Sequence, residues 1–187
     1  MANRLVGKKI AILIEEGYDE QEITVPLTFF KEEGAIVRFI GSGRQSVFTS
    51  IDKVSLSADL SAKDVQLADF DAFIIPGGYA SEKMRLSDSM VKLMAEADDH
   101  GKFIGAIGRG PQLLISANVV KDRMLTCSTG IVIDLKNAGA YYVDDPVVRD
   151  GNIVTSGSKD DLPDFLEAIV DAVGIATPYV KNVWAGA

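Results

Sequence analysis

Of the 187 residues only one is cysteine, one histidine and one tryptophan, and each scarcity removes a class of function. A lone cysteine, Cys127, cannot form an internal disulfide, so nothing points to secretion and a cytoplasmic location is the expectation. With His100 as the only histidine, a zinc site of ordinary composition cannot be assembled within the chain, and no metal or other cofactor is expected. Long apolar runs are also missing. The first, Ile10 to Ile14, ends at Glu15. That is too short for a signal peptide, and every later run stops well before the ~18 residues that span a bilayer. Positive charge is the minority: Lys and Arg number 19 against 27 Asp and Glu, a net −8. Phosphate backbones require clustered Lys and Arg, so neither nucleic acid nor membrane is an expected partner. No internal repeat or low-complexity tract is present.

What remains is a chain that is 47% hydrophobic, of a length suited to one buried core. Lys9–Ile14, Ile36–Gly41, Phe70–Ile75 and Lys102–Ile107 read as short apolar strands bounded by turn residues, the pattern of strands buried on both faces. Helical spacing fills the intervals: Glu20–Glu33, with Gly34 placed to cap it, Ser87–His100 and Pro111–Asn118. Pro26 predicts a kink or a late start of the first helix. Alternation of strand and helix at this spacing predicts right-handed βαβ units, an α/β fold with a parallel sheet covered on both faces. Gln45–Leu60 breaks the rhythm and reads as a small β-excursion. Short strands follow near Met124–Ser128, Tyr141–Val143, Val147–Arg149 and Ile153–Ser156, with Asp150-Gly151-Asn152 as a hairpin turn. A last helix is expected over Asp161–Val173, stopped by Gly174. Residues 1–174 form the expected domain, and 175–187, with Pro178, Tyr179 and Trp184, an extension or linker.

In an open parallel sheet, ligands bind beyond the carboxyl ends of the strands. Three segments meet there: Glu15–Glu22, Pro76-Gly77-Gly78-Tyr79, and Ala106-Ile107-Gly108-Arg109-Gly110-Pro111. The last is a strand entering a helix through a glycine-rich turn, a geometry that exposes one side chain. A cysteine at such a turn would be an activated thiolate.

Gly77-Gly78, the run Gly-Pro-Gln-Leu-Leu-Ile-Ser-Ala at 110–117, Asn137-Ala138-Gly139-Ala140, and Gly17-Tyr18-Asp19-Glu20-Gln21-Glu22 together resemble the ThiJ/PfpI superfamily over roughly residues 8–174. The resemblance implies a flavodoxin-like three-layer αβα sandwich with a mainly parallel central sheet, and a homodimer or a higher oligomer. It also implies a turn of the form Ala-Ile-Cys-His-Gly-Pro, with the cysteine as nucleophile. Here Gly108 and Arg109 stand in place of that Cys-His pair. The family's glutamate beside the thiol maps onto Glu22, and an acidic residue contributed across a dimer interface maps onto Glu82. Ser128-Thr129 stands where Tyr-Pro is common, and Gly157 where Arg is common.

Glycine offers no attacking atom, so thiol catalysis is expected to be lost. The backbone N–H groups around Gly77, Gly78, Gly108 and Arg109, with the Arg109 cation, suit a small anion or carboxylate. The functional expectation is a non-catalytic binding or stress-related module. The alternative is a peptidase, amidase, deglycase or glyoxalase-like enzyme that works through Glu22 and a water. Plainer readings stand beside these: Arg109 paired with Glu22 or solvent, Glu22 a buried relic, Cys127 a buried structural thiol, and His100 a helix-end residue. The acidic group Glu15, Glu16, Asp19, Glu20 and Glu22 reads as a solvated helix start rather than a cation site. Gly41-Ser42-Gly43-Arg44 opens no helix and is not a dinucleotide loop.

Overall fold

The computed structural model describes residues 3–174; the segment 175–187, read above as an extension, lies outside the described residues. The apolar runs become β1 (Lys9–Ile14), β2 (Ile36–Gly41), β6 (Ala72–Ile75) and β7 (Phe103–Ile107). β6 is buried along its whole length, and β1 everywhere but Lys9, as expected of strands covered on both faces. Between β2 and β6 the chain makes the expected excursion, an antiparallel hairpin of β3 (Val47–Thr49) and β4 (Ser55–Ser57), then β5 (Leu60–Ser61) beside β2.

The helices are α1 (Gln21–Glu32), α2 (Ala80–Met84), α3 (Asp88–Asp99) and α4 (Pro111–Ser116). The C-terminal half adds β8 (Met124–Leu125), α5 (Val132–Asn137), β9 (Tyr141–Tyr142), β10 (Val147–Asp150), β11 (Ile153–Ser156) and α6 (Leu162–Gly174). Helix α1 begins at Gln21, so Pro26 marks no late start; the helix runs through it with Ile23, Pro26 and Phe30 turned inward. Gly34 ends it at φ +89°, with the Ala35 N–H returned to the Phe30 carbonyl. Gly174 is the last described residue of α6 rather than a residue beyond its end.

Among the described residues seven strands form the main sheet in the order β10-β11-β7-β6-β1-β2-β5. All neighbours are parallel except β10 and β11, the hairpin turned by Gly151. Helix α1 packs against α6, and α3 against α4, giving helical layers on the two faces. The strand order reverses between β1 and β6, whose carboxyl ends therefore open a crevice. At the opposite end of the sheet, Arg123 donates to Asp98 Oδ1 at 2.6 Å and to Asn152 Oδ1 at 3.0 Å, tying α3 to the β10–β11 turn. No helix among the described residues is long and apolar enough to cross a membrane.

Candidate functional site

Three strand ends build the crevice. Beyond β7 the chain turns at Gly108 with φ +57°, a left-handed conformation that glycine adopts without strain. The turn is held on both sides: Gly108 donates its N–H to the Ser156 carbonyl, and its own carbonyl accepts from Ser128 N–H, each at 2.9 Å. Beyond β6, Gly77 lies directly on this turn. A Cβ at Gly77 would stand 2.9 Å from Arg109 N, from Glu22 Oε2 and from the Ile107 carbonyl, so only glycine permits the approach.

Glu22, in the first turn of α1, completes the crevice from beyond β1. Its Oε2 accepts the Gly77 N–H. Its Oε1 lies 3.5 Å from the position a Cβ on Gly108 would take, and among the described residues it has no hydrogen-bond partner. The side chain is buried, with the residue only 6% exposed. Burial pushes the carboxyl up to about 7; the Gly77 N–H and Lys159 oppose the shift, and Asp19 adds to it. A group with that pKa stands ready to hold or release a proton near neutrality. At Gly108 there is space but no nucleophilic atom.

The N–H inventory is narrower than the sequence suggests. Gly77 and Gly108 are engaged with Glu22 and Ser156, which leaves Gly78 and Arg109 as donors with no bond among the described residues. Helix α4 spans six residues, too short for a substantial macrodipole. Arg109 pairs with Glu82 of α2, not with Glu22, and its guanidinium carbon lies 5.9 Å from the centroid of the Tyr79 ring. Both members of the pair are partly solvated. Glu82 is thus already engaged within its own chain.

The acidic group after β1 is not uniformly solvated, which corrects the sequence reading. Glu15 and Glu22 are buried, Glu16 accepts the Thr49 N–H at 2.9 Å, and Asp19 caps the Gln21 N–H at 2.9 Å. Cys127 is buried and its thiol is pushed up to about 11, mainly by desolvation, so it is inert. His100 Nδ1 sits 2.8 Å from the Glu96 carbonyl at the end of α3. Periodicity missed two further features. Ser128 has a buried Oγ without a hydrogen-bond partner among the described residues. A groove at Tyr142, Asp144, Asp145, Gly157 and Asp161 adjoins the turn. Its only sequence signal is glycine at 157, a residue that leaves a gap.

The DJ-1/PfpI family model matches residues 8–172. The chain is 38% identical over 162 residues to Protein/nucleic acid deglycase 2 of Escherichia coli, covering 86% of this chain and 94% of that protein. It is 36% identical over 162 residues to General stress protein 18 of Bacillus subtilis, with 86% and 94% covered. Among solved structures it resembles a two-domain protein from Anabaena variabilis that contains DJ-1/ThiJ/PfpI-like and ferritin-like domains, with TM-score 0.86 and 36% identity over 89% of this chain. The chain spans half the length of that protein. With the family model matched along most of its length, the chain belongs to the DJ-1/PfpI family.

Proposed function

We propose that this DJ-1/PfpI protein has lost thiol catalysis and serves as a binding module, with a pocket for a small anion or carboxylate at the turn where its family carries a nucleophile. The observation that carries the reading is the combination at Gly108: a left-handed turn, an open side-chain position, and Glu22 Oε1 facing it at 3.5 Å. The Gly78 and Arg109 N–H groups are donors for a ligand oxygen, and Glu22 in its protonated form is a third. The likeness to General stress protein 18 supports a stress-related role, and cytoplasmic location and a homodimer belong to the same reading. Thermal unfolding with millimolar acetate, formate or phosphate tests the pocket: a rise in Tm that shrinks as pH climbs past about 7 and Glu22 loses its proton is expected. No shift with any of them would overturn it.

A second reading is favoured by the pKa of Glu22, near 7, and by the deglycase name of the Escherichia coli relative. In it the chain is a deglycase-type enzyme in which Glu22 activates a water occupying the space at Gly108. Deglycase, glyoxalase and peptidase assays on wild type and Glu22→Gln separate the two. Turnover by wild type that is lost in Glu22→Gln selects the enzyme.

A further inference from the structure

Four polar groups around the turn at Gly108 have no hydrogen-bond partner among the described residues. Two are donors, the backbone N–H groups of Gly78 and Arg109, and two are acceptors, Glu22 Oε1 and the Gly157 carbonyl. They are not scattered. Leaving the turn itself aside, the atoms nearest the open side-chain position of Gly108 are those two acceptors, Glu22 Oε1 at 3.5 Å and the Gly157 carbonyl oxygen at 3.9 Å. The Arg109 N–H follows directly on Gly108. The Gly78 N–H follows Gly77, whose own Cβ position is 2.9 Å from Arg109 N and from Glu22 Oε2. Donors and acceptors therefore meet around one space, two of each.

That arrangement discriminates among ligands of one shape. A carboxylate has acceptor oxygens only. One oxygen suits the Gly78 and Arg109 donors, but the other then faces the Gly157 carbonyl, which cannot donate, and Glu22, which donates only while protonated. Burial holds the Glu22 carboxyl at about 7, so above that pH both neighbours of the second oxygen are acceptors and one is charged. The nearby cations have carboxylate partners: Lys159 pairs with Asp19 at 3.4 Å, and Arg109 with Glu82. A primary amide has the same planar frame with one acceptor oxygen and an NH2 that donates twice. Each of its polar atoms meets its complement here, and in a desolvated site a group left without one is costly.

We propose that the preferred ligand is a small primary carboxamide, its oxygen on the Gly78 and Arg109 N–H groups and its NH2 between Glu22 Oε1 and the Gly157 carbonyl. The inference rests on the pocket of the binding-module reading above and deepens it to a ligand class, a neutral group of the same shape as a carboxylate. It is carried by the two acceptors that face the open position at Gly108. The amide is held and not cleaved, because residue 108 has no attacking atom.

Acetamide, acetate and acetone are close in size and differ in the group that would face Glu22: an NH2, a second oxygen or a methyl. Their binding is read from the backbone amide signals of Gly78 and Arg109 in NMR titrations at about pH 6 and about pH 8.5, on either side of the Glu22 pKa of about 7. At the higher pH acetamide is expected to bind at least about tenfold more tightly than either analogue. Glu22→Gln keeps an oxygen for the Gly77 N–H and turns an NH2 toward Gly108, so the advantage of acetamide over acetate should fall by at least about tenfold. An unchanged ratio in the variant overturns the amide assignment. So does acetate or acetone that binds wild type as tightly as acetamide at the higher pH, a result that does not depend on the variant folding. In either case acetate binding near pH 6 leaves the pocket reading standing. Acetamide binding without acetate binding at either pH keeps the amide and ends the anion half of that reading. If none of the three moves the signals at either pH, the pocket reading falls and this inference falls with it.

Discussion

Glu22 Oε1 and Gly108 face each other across an open position: the carboxylate oxygen is 3.5 Å from the point where a side chain on residue 108 would begin. That distance is ordinary van der Waals contact, so a cysteine fits sterically. It does not fit conformationally without cost, because φ at 108 is +57°. Gly108→Cys is expected to lower stability by about 1–2 kcal/mol while leaving the fold intact. Ellman's reagent on the folded variant should titrate one thiol rapidly, since Cys127 is buried. A new thiol as inert as Cys127 would show that the position is closed.

Glu22→Gln isolates the buried carboxyl. In the folded chain its pKa is about 7, against an unfolded value of 4.5. The unfolded state thus loses its proton first, and wild-type stability from this group is full below about 4.5 and falls as pH rises to about 7. Glutamine keeps the acceptor for the Gly77 N–H and does not titrate. Urea melts across this window should show the variant gaining on wild type with rising pH, by on the order of 3 kcal/mol in total. A constant difference between the two would contradict the assigned pKa.

At Gly77 the constraint is space. An added Cβ meets Arg109 N, Glu22 Oε2 and the Ile107 carbonyl, each at 2.9 Å, and two of the three are backbone atoms that cannot swing aside. Gly77→Ala is expected to destabilise by about 1–3 kcal/mol and to weaken carboxylate binding, read as a lower Tm and a smaller ligand-induced shift.

The Arg109–Glu82 pair is half-solvated, and solvated pairs contribute little. Glu82→Gln should change stability by less than about 1 kcal/mol. Because it releases the guanidinium, it should tighten acetate binding if Arg109 then turns toward the pocket. Unchanged affinity would place Arg109 outside the site.

Far from the site, Arg123 is buried against Asp98 and Asn152. Arg123→Ala removes one partner of a buried ion pair and should cost about 3–5 kcal/mol in a denaturant melt, with carboxylate affinity per folded molecule unchanged.

Strand and helix positions were legible because the apolar spacing of β1, α1, β2, α3 and β7 carries its own period. The left-handed turn was legible from glycine between an apolar strand and a proline-started helix. The partner of Arg109 was not. A long cation at a helix start has several carboxylates within reach, and which one it meets depends on where α2 lies. Nor was the split among the acids after β1 legible, because alternating carboxylates carry no signal of which will be covered by the Gly77 loop. The groove was equally hidden, since it joins Gly157 and Asp161 to Tyr142 and Asp144 across separate elements.

The sequence by itself determined the parallel α/β architecture, the family and the absence of a thiol at residue 108, since these depend on local periodicity and on which atoms a residue possesses. Tertiary structure alone decided that Glu22 is buried with one oxygen turned toward Gly108, that among the described residues the Gly77 and Gly108 N–H groups are engaged while those of Gly78 and Arg109 are not, and that Gly157 opens toward an acidic groove. The reason is that desolvation and hydrogen-bond assignment arise from groups on different strand ends meeting in one crevice, and no local pattern encodes that meeting.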